Sequence, residues 1–77
     1  MLRYRNYPIY VLALPAPGKL WRSIGMVFDP EHPAAREIKR LECADIVYTN
    51  SQEAEDYAFI LCRAWIDRLR PELKTTH

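Results

Sequence analysis

The side chains of this 77-residue chain suited to holding a metal ion are His32, Cys43, Cys62 and His77. Metal sites draw on ligands closely paired in sequence, and no two of these are close, so neither a metal nor a cofactor is expected. Nucleophilic catalysis offers Ser23 and Ser51, one in the middle of an apolar run and the other beside a helix cap. Neither sits in a nucleophile-elbow pattern. The acidic pairs Asp29/Glu31 and Glu53/Asp56 are those of a turn and a first helical turn. With Gly18 and Gly25 the only glycines, there is no loop to cradle phosphate. A chain this short also has little room for a ligand pocket of several hundred cubic ångströms. No catalytic residue or small-molecule substrate is therefore evident, and a non-enzymatic protein is expected.

Two other groupings bear on binding. Tyr4, Tyr7, Tyr10, Trp21 and Tyr48 interleave with Arg3, Arg5, Lys19 and Arg22, and aromatic side chains beside basic ones on a sheet can stack single-stranded bases. Arg3, Arg5, Tyr10 and Arg22 are the candidate nucleic-acid contacts. Against this, 11 Lys and Arg balance 10 Asp and Glu, a formal net charge of +1. Phosphate binders are usually more basic. The second grouping is Phe59, Arg63 and Ile66, which share a helical face outside the main apolar stripe. Apolar side chains beyond a core-facing stripe mark a surface where another protein docks, so these three form a candidate protein interface.

These residues depend on the elements that carry them. Tyr7 to Leu14 is β-branched and aromatic and ends at Pro15-Ala16-Pro17-Gly18, the pattern of a strand and a tight connection. Pro8, without an N–H, places that strand at a sheet edge or at its own first residues. Residues 20–28 form a second strand, with Leu20, Ile24, Met26 and Phe28 on one face and Trp21, Ser23, Gly25 and Val27 on the other. Residues 37–45 fit either helix or strand. Two strands alone are marginal, so a third is expected there.

Asn50, with Glu53 three residues on, starts a helix over 51–70. Its apolar stripe is Ala54, Tyr57, Ala58, Leu61, Trp65 and Leu69, with Trp65 as its largest contributor to the core. Acidic residues in its first turns and Arg68 and Arg70 in its last complement the helix dipole. Pro71 stops it, and 72–77 is a loose tail. The expected architecture is one α+β domain over residues 1–77, a three-stranded antiparallel sheet (7–14, 20–28, 37–45) packed by one C-terminal helix.

Two cysteines among apolar neighbours read as reduced thiols rather than a disulfide framework. Arg3 and Arg5 before Ile9 to Leu14 imitate a signal peptide, but the apolar run is too short for one and no stretch is long enough for a membrane span. A cytoplasmic protein without membrane contact is expected.

Ile24-Gly25-Met26-Val27, Leu41-Glu42-Cys43-Ala44-Asp45, Ser51-Gln52-Glu53-Ala54-Glu55 and Trp65-Ile66-Asp67 follow one another in an order that resembles short bacterial proteins of unknown function. Those have three strands and a C-terminal helix ending in a Trp-Ile-Asp or similar motif, and some relatives carry an HlyU-type transcriptional-activator label. The resemblance implies the β-β-β-α fold and no site residue. The same element order is similar to HicB-type antitoxins, which neutralise a small RNase toxin, although Phe28 to Pro33 departs from their Gly-rich turn and Pro-Asp-Leu-Pro-Gly-like stretch. Function is thus expected to rest on protein contacts, including self-association as a homodimer. A weak nucleic-acid-binding or transcription-regulatory role and an antitoxin-like partnership with a small toxin are the alternatives.

Overall fold

Two tight connections built on left-handed backbone set the sheet. The computed structural model describes residues 2–32 and 36–69, apart from the side chain of Ala44. Arg5 and Asn6 take φ of 48° and 73°, the paired positive values of a two-residue hairpin turn. They join β1 (Leu2–Tyr4) to β2 (Tyr7–Ala16). Gly18 and Lys19, at φ of 79° and 60°, help return the chain from Ala16 to its partner Leu20 at the start of β3 (Leu20–Phe28). Beyond β3 the Asp29 amide donates to the Arg36 carbonyl at 2.9 Å, and the Asp29 carboxylate accepts the Glu31 amide at 2.8 Å. That backbone donor, followed by His32, holds the Asp29 carboxyl below its ordinary pKa. Then come β4 (Glu37–Tyr48) and α1 (Ser51–Leu69).

The fold is α+β: an antiparallel sheet in the order β1-β2-β3-β4 with one helix across it. Three strands were expected, and the fourth is the short β1. Of the two places expected for Pro8, the presence of β1 removes the sheet edge and leaves the start of the strand, where Pro8 is the second residue of β2. Arg3 pairs with Pro8, so this part of β2 is not the sheet edge. A two-residue loop makes Tyr4 and Tyr7 the hydrogen-bonded pair, which turns the Pro8 nitrogen toward the β3 side. Pairing with β3 begins one residue later, at Ile9 and Val27, so the missing N–H takes nothing from that ladder. The ambiguous 37–45 segment is strand and continues to Tyr48. The helix end at 70, the Pro71 stop, the 72–77 tail and His77 lie outside the described residues.

Asn50 caps α1: its side-chain oxygen accepts the Gln52 and Glu53 amides at 2.7 and 3.2 Å. The buried stripe of the helix differs from the expected one. Ala54, Ala58, Cys62 and Ile66, each four residues after the last, are fully buried. Trp65 packs against the core partly buried, and Leu69 is exposed. The reason lies in the sheet. The helix covers the β3 face bearing Ser23, Gly25 and Val27, and a Cβ on Gly25 would stand 2.5 Å from Cys62 Sγ and 2.9 Å from the Ala58 carbonyl oxygen. Only a row of small side chains approaches that closely, so the four-residue ridge is the one that docks. The buried Ser23 hydroxyl donates to the Ala54 carbonyl at 2.6 Å, so its polar group is satisfied where the helix begins. Tyr7, Ile9, Val27, Cys62 and Ile66 make the core, and full burial of a large aliphatic side chain is worth about 1.5–3 kcal/mol.

Candidate functional site

The helix takes the small-residue face of β3, and among the described residues no element lies over the larger apolar face. Strand alternation puts Ile24 and Met26 opposite Gly25. The register then lays out that face in rows. Tyr10, Met26 and Arg40 stand abreast, and so do Leu12, Ile24 and Glu42. Leu14 pairs with Arg22 beyond one end, and Phe28 with Glu37 beyond the other. Ile24 and Met26 are buried in the middle of this face. Their flanking neighbours are not: Tyr10 is 47% exposed and Leu12 36%. Large apolar side chains thus form a continuous floor and flank with no second layer above them among the described residues.

Charge lies at the margins of this face and has both signs. Arg40 donates to Glu37 through two nitrogens, at 3.0 and 3.2 Å, and this bond holds its pKa above the ordinary arginine value. Glu42 follows on the same side of β4, and Arg22 stands beyond Ile24 on β3. A recess lined by Leu14, Arg22, Ser23, Ile24, Glu42 and Cys43 has a volume of about 10 Å³. That is space for one water, far below a ligand pocket.

The nucleic-acid candidates divide between two places. Tyr10 and Arg22 lie on the open face, and Arg3, paired with Pro8, lies on the same side of the sheet. Arg5 belongs to the other side. Its Nε donates to the Asp67 carboxylate at 3.0 Å and to the Tyr4 hydroxyl at 3.3 Å. The Tyr4 hydroxyl in turn reaches both Asp67 oxygens at 3.0 and 3.1 Å. Arg5 and Arg63 stand over the Tyr4 ring at 5.3 and 5.4 Å. These contacts form a clasp between the β1–β2 turn and the end of the helix.

The expected interface on the helix needs correction at Ile66. Ile66 has no exposed surface and lies in the chain's own core, because the docked ridge is rotated toward it. Phe59 packs partly buried against that core, and Arg63 covers its ring at 5.6 Å. The outward apolar residues of α1 are instead Ile60, 53% exposed, and Leu69, 45%. Sequence reasoning separated Leu20, Ile24, Met26 and Phe28 from their neighbours on β3, but not as a site. The signal was the contrast in bulk with Ser23 and Gly25.

Cys43 and Cys62 are free thiols. Burial pushes the Cys62 thiol up to about 11, which makes it an unreactive core residue. Among the described residues no three His, Cys, Asp or Glu side chains gather as a metal site. No described helix is long and apolar enough to cross a membrane. No family model, curated protein or solved structure matches the chain.

Proposed function

We propose that this chain is a non-enzymatic protein-interaction module whose docking surface is the helix-free face of its sheet. The observation that supports this is the pair of apolar rows Tyr10–Met26 and Leu12–Ile24, whose outer members Tyr10 and Leu12 are exposed beside the buried Met26 and Ile24, with no described element above them. A domain whose described helix covers the smaller face keeps its larger apolar side chains for another surface. The mixed-sign margin adds orientation rather than bulk affinity.

Site-specific photo-cross-linking tests the reading. A benzophenone amino acid at Leu12, with a control at Ile60, is activated in cells producing the chain. A discrete protein adduct from position 12 and none from position 60 is the expected result. No adduct at 12, or equal adducts at both, overturns it.

A second reading has one observation in its favour: Arg3, Tyr10 and Arg22 share the open side of the sheet. In this reading the face takes single-stranded nucleic acid, with Tyr10 as a stacking platform. Anisotropy with labelled oligonucleotides at low and physiological salt separates the two. Salt-sensitive micromolar binding that Arg22→Ala weakens would put nucleic acid in place of protein.

A further inference from the structure

We infer that the occupant of the open face is a second copy of this chain, stacked face to face about a two-fold axis that crosses the strands between the Met26 and Ile24 rows. This rests on the docking reading above and adds the partner and its register.

The first support is shape. The molecule measures 43 × 32 × 17 Å, and its radius of gyration is 13.3 Å, against about 11.5 Å for a compact chain of this length. It is a two-layer plate. In outline its broad side spans roughly 1,400 Å² from those extents, charged margins included, which leaves room for the roughly 800 Å² per partner that a stable interface needs. A plate with an apolar strip along one charge-edged broad face becomes a normal layered structure when two such faces meet, as in a β-sandwich.

The second support is charge. An axis across the strands keeps each strand above its counterpart and exchanges the rows on either side. Arg40 then falls over Glu42 of the second copy, and Glu42 over Arg40. Met26 falls over Ile24, and Tyr10 over Leu12, so the apolar rows meet each other. One step further out, Arg22 falls over the Phe28 ring, a cation–π placement. Each charge on the two central rows therefore meets its opposite, and the pairings occur twice. An axis along the strands would instead set Arg40 over Tyr10 and leave Glu42 above Leu12, an acid against an apolar side chain. Self-complementarity of this kind is what an isologous interface requires.

The test is mass by sedimentation velocity from micromolar to several hundred micromolar protein. Variants are Leu12→Asp, Glu42→Arg, the exchange Arg40→Glu with Glu42→Arg, and Ile60→Asp as control, each checked for folding by circular dichroism. Wild type and Ile60→Asp are expected at twice the 9.1 kDa chain mass. Leu12→Asp is expected as a folded monomer. Glu42→Arg brings like charges together and is expected to weaken the dimer at least about tenfold, with recovery in the exchange variant. A wild type that stays monomeric throughout overturns the second copy but not the docking face, which the cross-link at position 12 decides. A dimer indifferent to Leu12→Asp uses another surface and likewise overturns the second copy on this face. A dimer that Leu12→Asp breaks and the exchange fails to restore overturns the proposed axis.

Discussion

Gly25 lies directly beneath Cys62, with room for no atom between them: a Cβ on the glycine would come to 2.5 Å from the sulfur and 2.9 Å from the Ala58 carbonyl oxygen. This contact fixes how near the helix sits and which of its residues turn inward. Gly25→Ala is expected to cost about 1–3 kcal/mol by overpacking. Cys62→Ala in the same chain should recover part of that, since it removes the sulfur but leaves the Ala58 backbone in place. Urea denaturation of the two single variants and the double measures it.

The docked ridge also sets the order of sensitivity along α1. Ile66→Ala, at a fully buried position, is expected to cost about 2–5 kcal/mol. Ile60→Ala, outward on the same helix, should stay within about 0.5 kcal/mol. Equal losses at both positions in thermal melts would mean that the helix is rotated from the arrangement described.

The clasp at Tyr4 is open to a double-mutant cycle. Removing its hydroxyl in Tyr4→Phe deletes the bonds to both oxygens of Asp67, an expected loss of about 1 kcal/mol. Asp67→Asn should cost a similar amount, and the double variant less than the two together, because they share one network. Full additivity would show that the two groups do not act as a pair.

Alkaline pH reads the helix–sheet seam. The Cys62 thiol is pushed by burial from 9.0 to about 11, so the folded chain holds this proton more tightly than the unfolded chain does. Its share of stability is complete below pH 9 and is lost as pH rises through 11. Wild type should therefore lose more stability across that window than Cys62→Ala, measured by urea midpoints at fixed pH. At pH 8, iodoacetamide should leave Cys62 unmodified until the chain unfolds.

Acid acts on the loop between β3 and β4. Asp29 has its carboxyl pKa lowered first by the Glu31 amide and then by His32. Its contribution is present above the unfolded value of about 3.8 and fades as pH falls through the lower folded one. Asp29→Asn keeps an acceptor for the amide and removes the charge. Its stability should vary less than that of wild type below pH 4, measured by thermal melts.

Much of this fold is written in alternation and caps. Residues 20–28 sort themselves by bulk onto two faces, and Asn50 with its two amide donors marks where the helix starts. β1 escaped notice because three residues hold too few side chains to show a period, and its turn uses Arg5 in a conformation that arginine seldom signals. The helix stripe differs from the one its apolar pattern predicts because such a pattern ranks side chains by size. Here the close approach at Gly25 favours Ala54, Ala58 and Cys62 over Trp65 and Leu69. The candidate site was half legible: the bulky face of β3 is visible in the sequence, but which face the helix takes depends on packing between elements distant along the chain.

The clasp carries one more consequence. Tyr4 and Asp67 are 63 positions apart yet bonded at 3.0 Å, so the path of the backbone closes nearly into a ring. In such a ring the place where synthesis starts is incidental to the arrangement. A gene rearranged to open at the exposed Pro17-Gly18-Lys19 tip, with a linker running from Leu69 to Leu2, would encode the same neighbours in a rotated order.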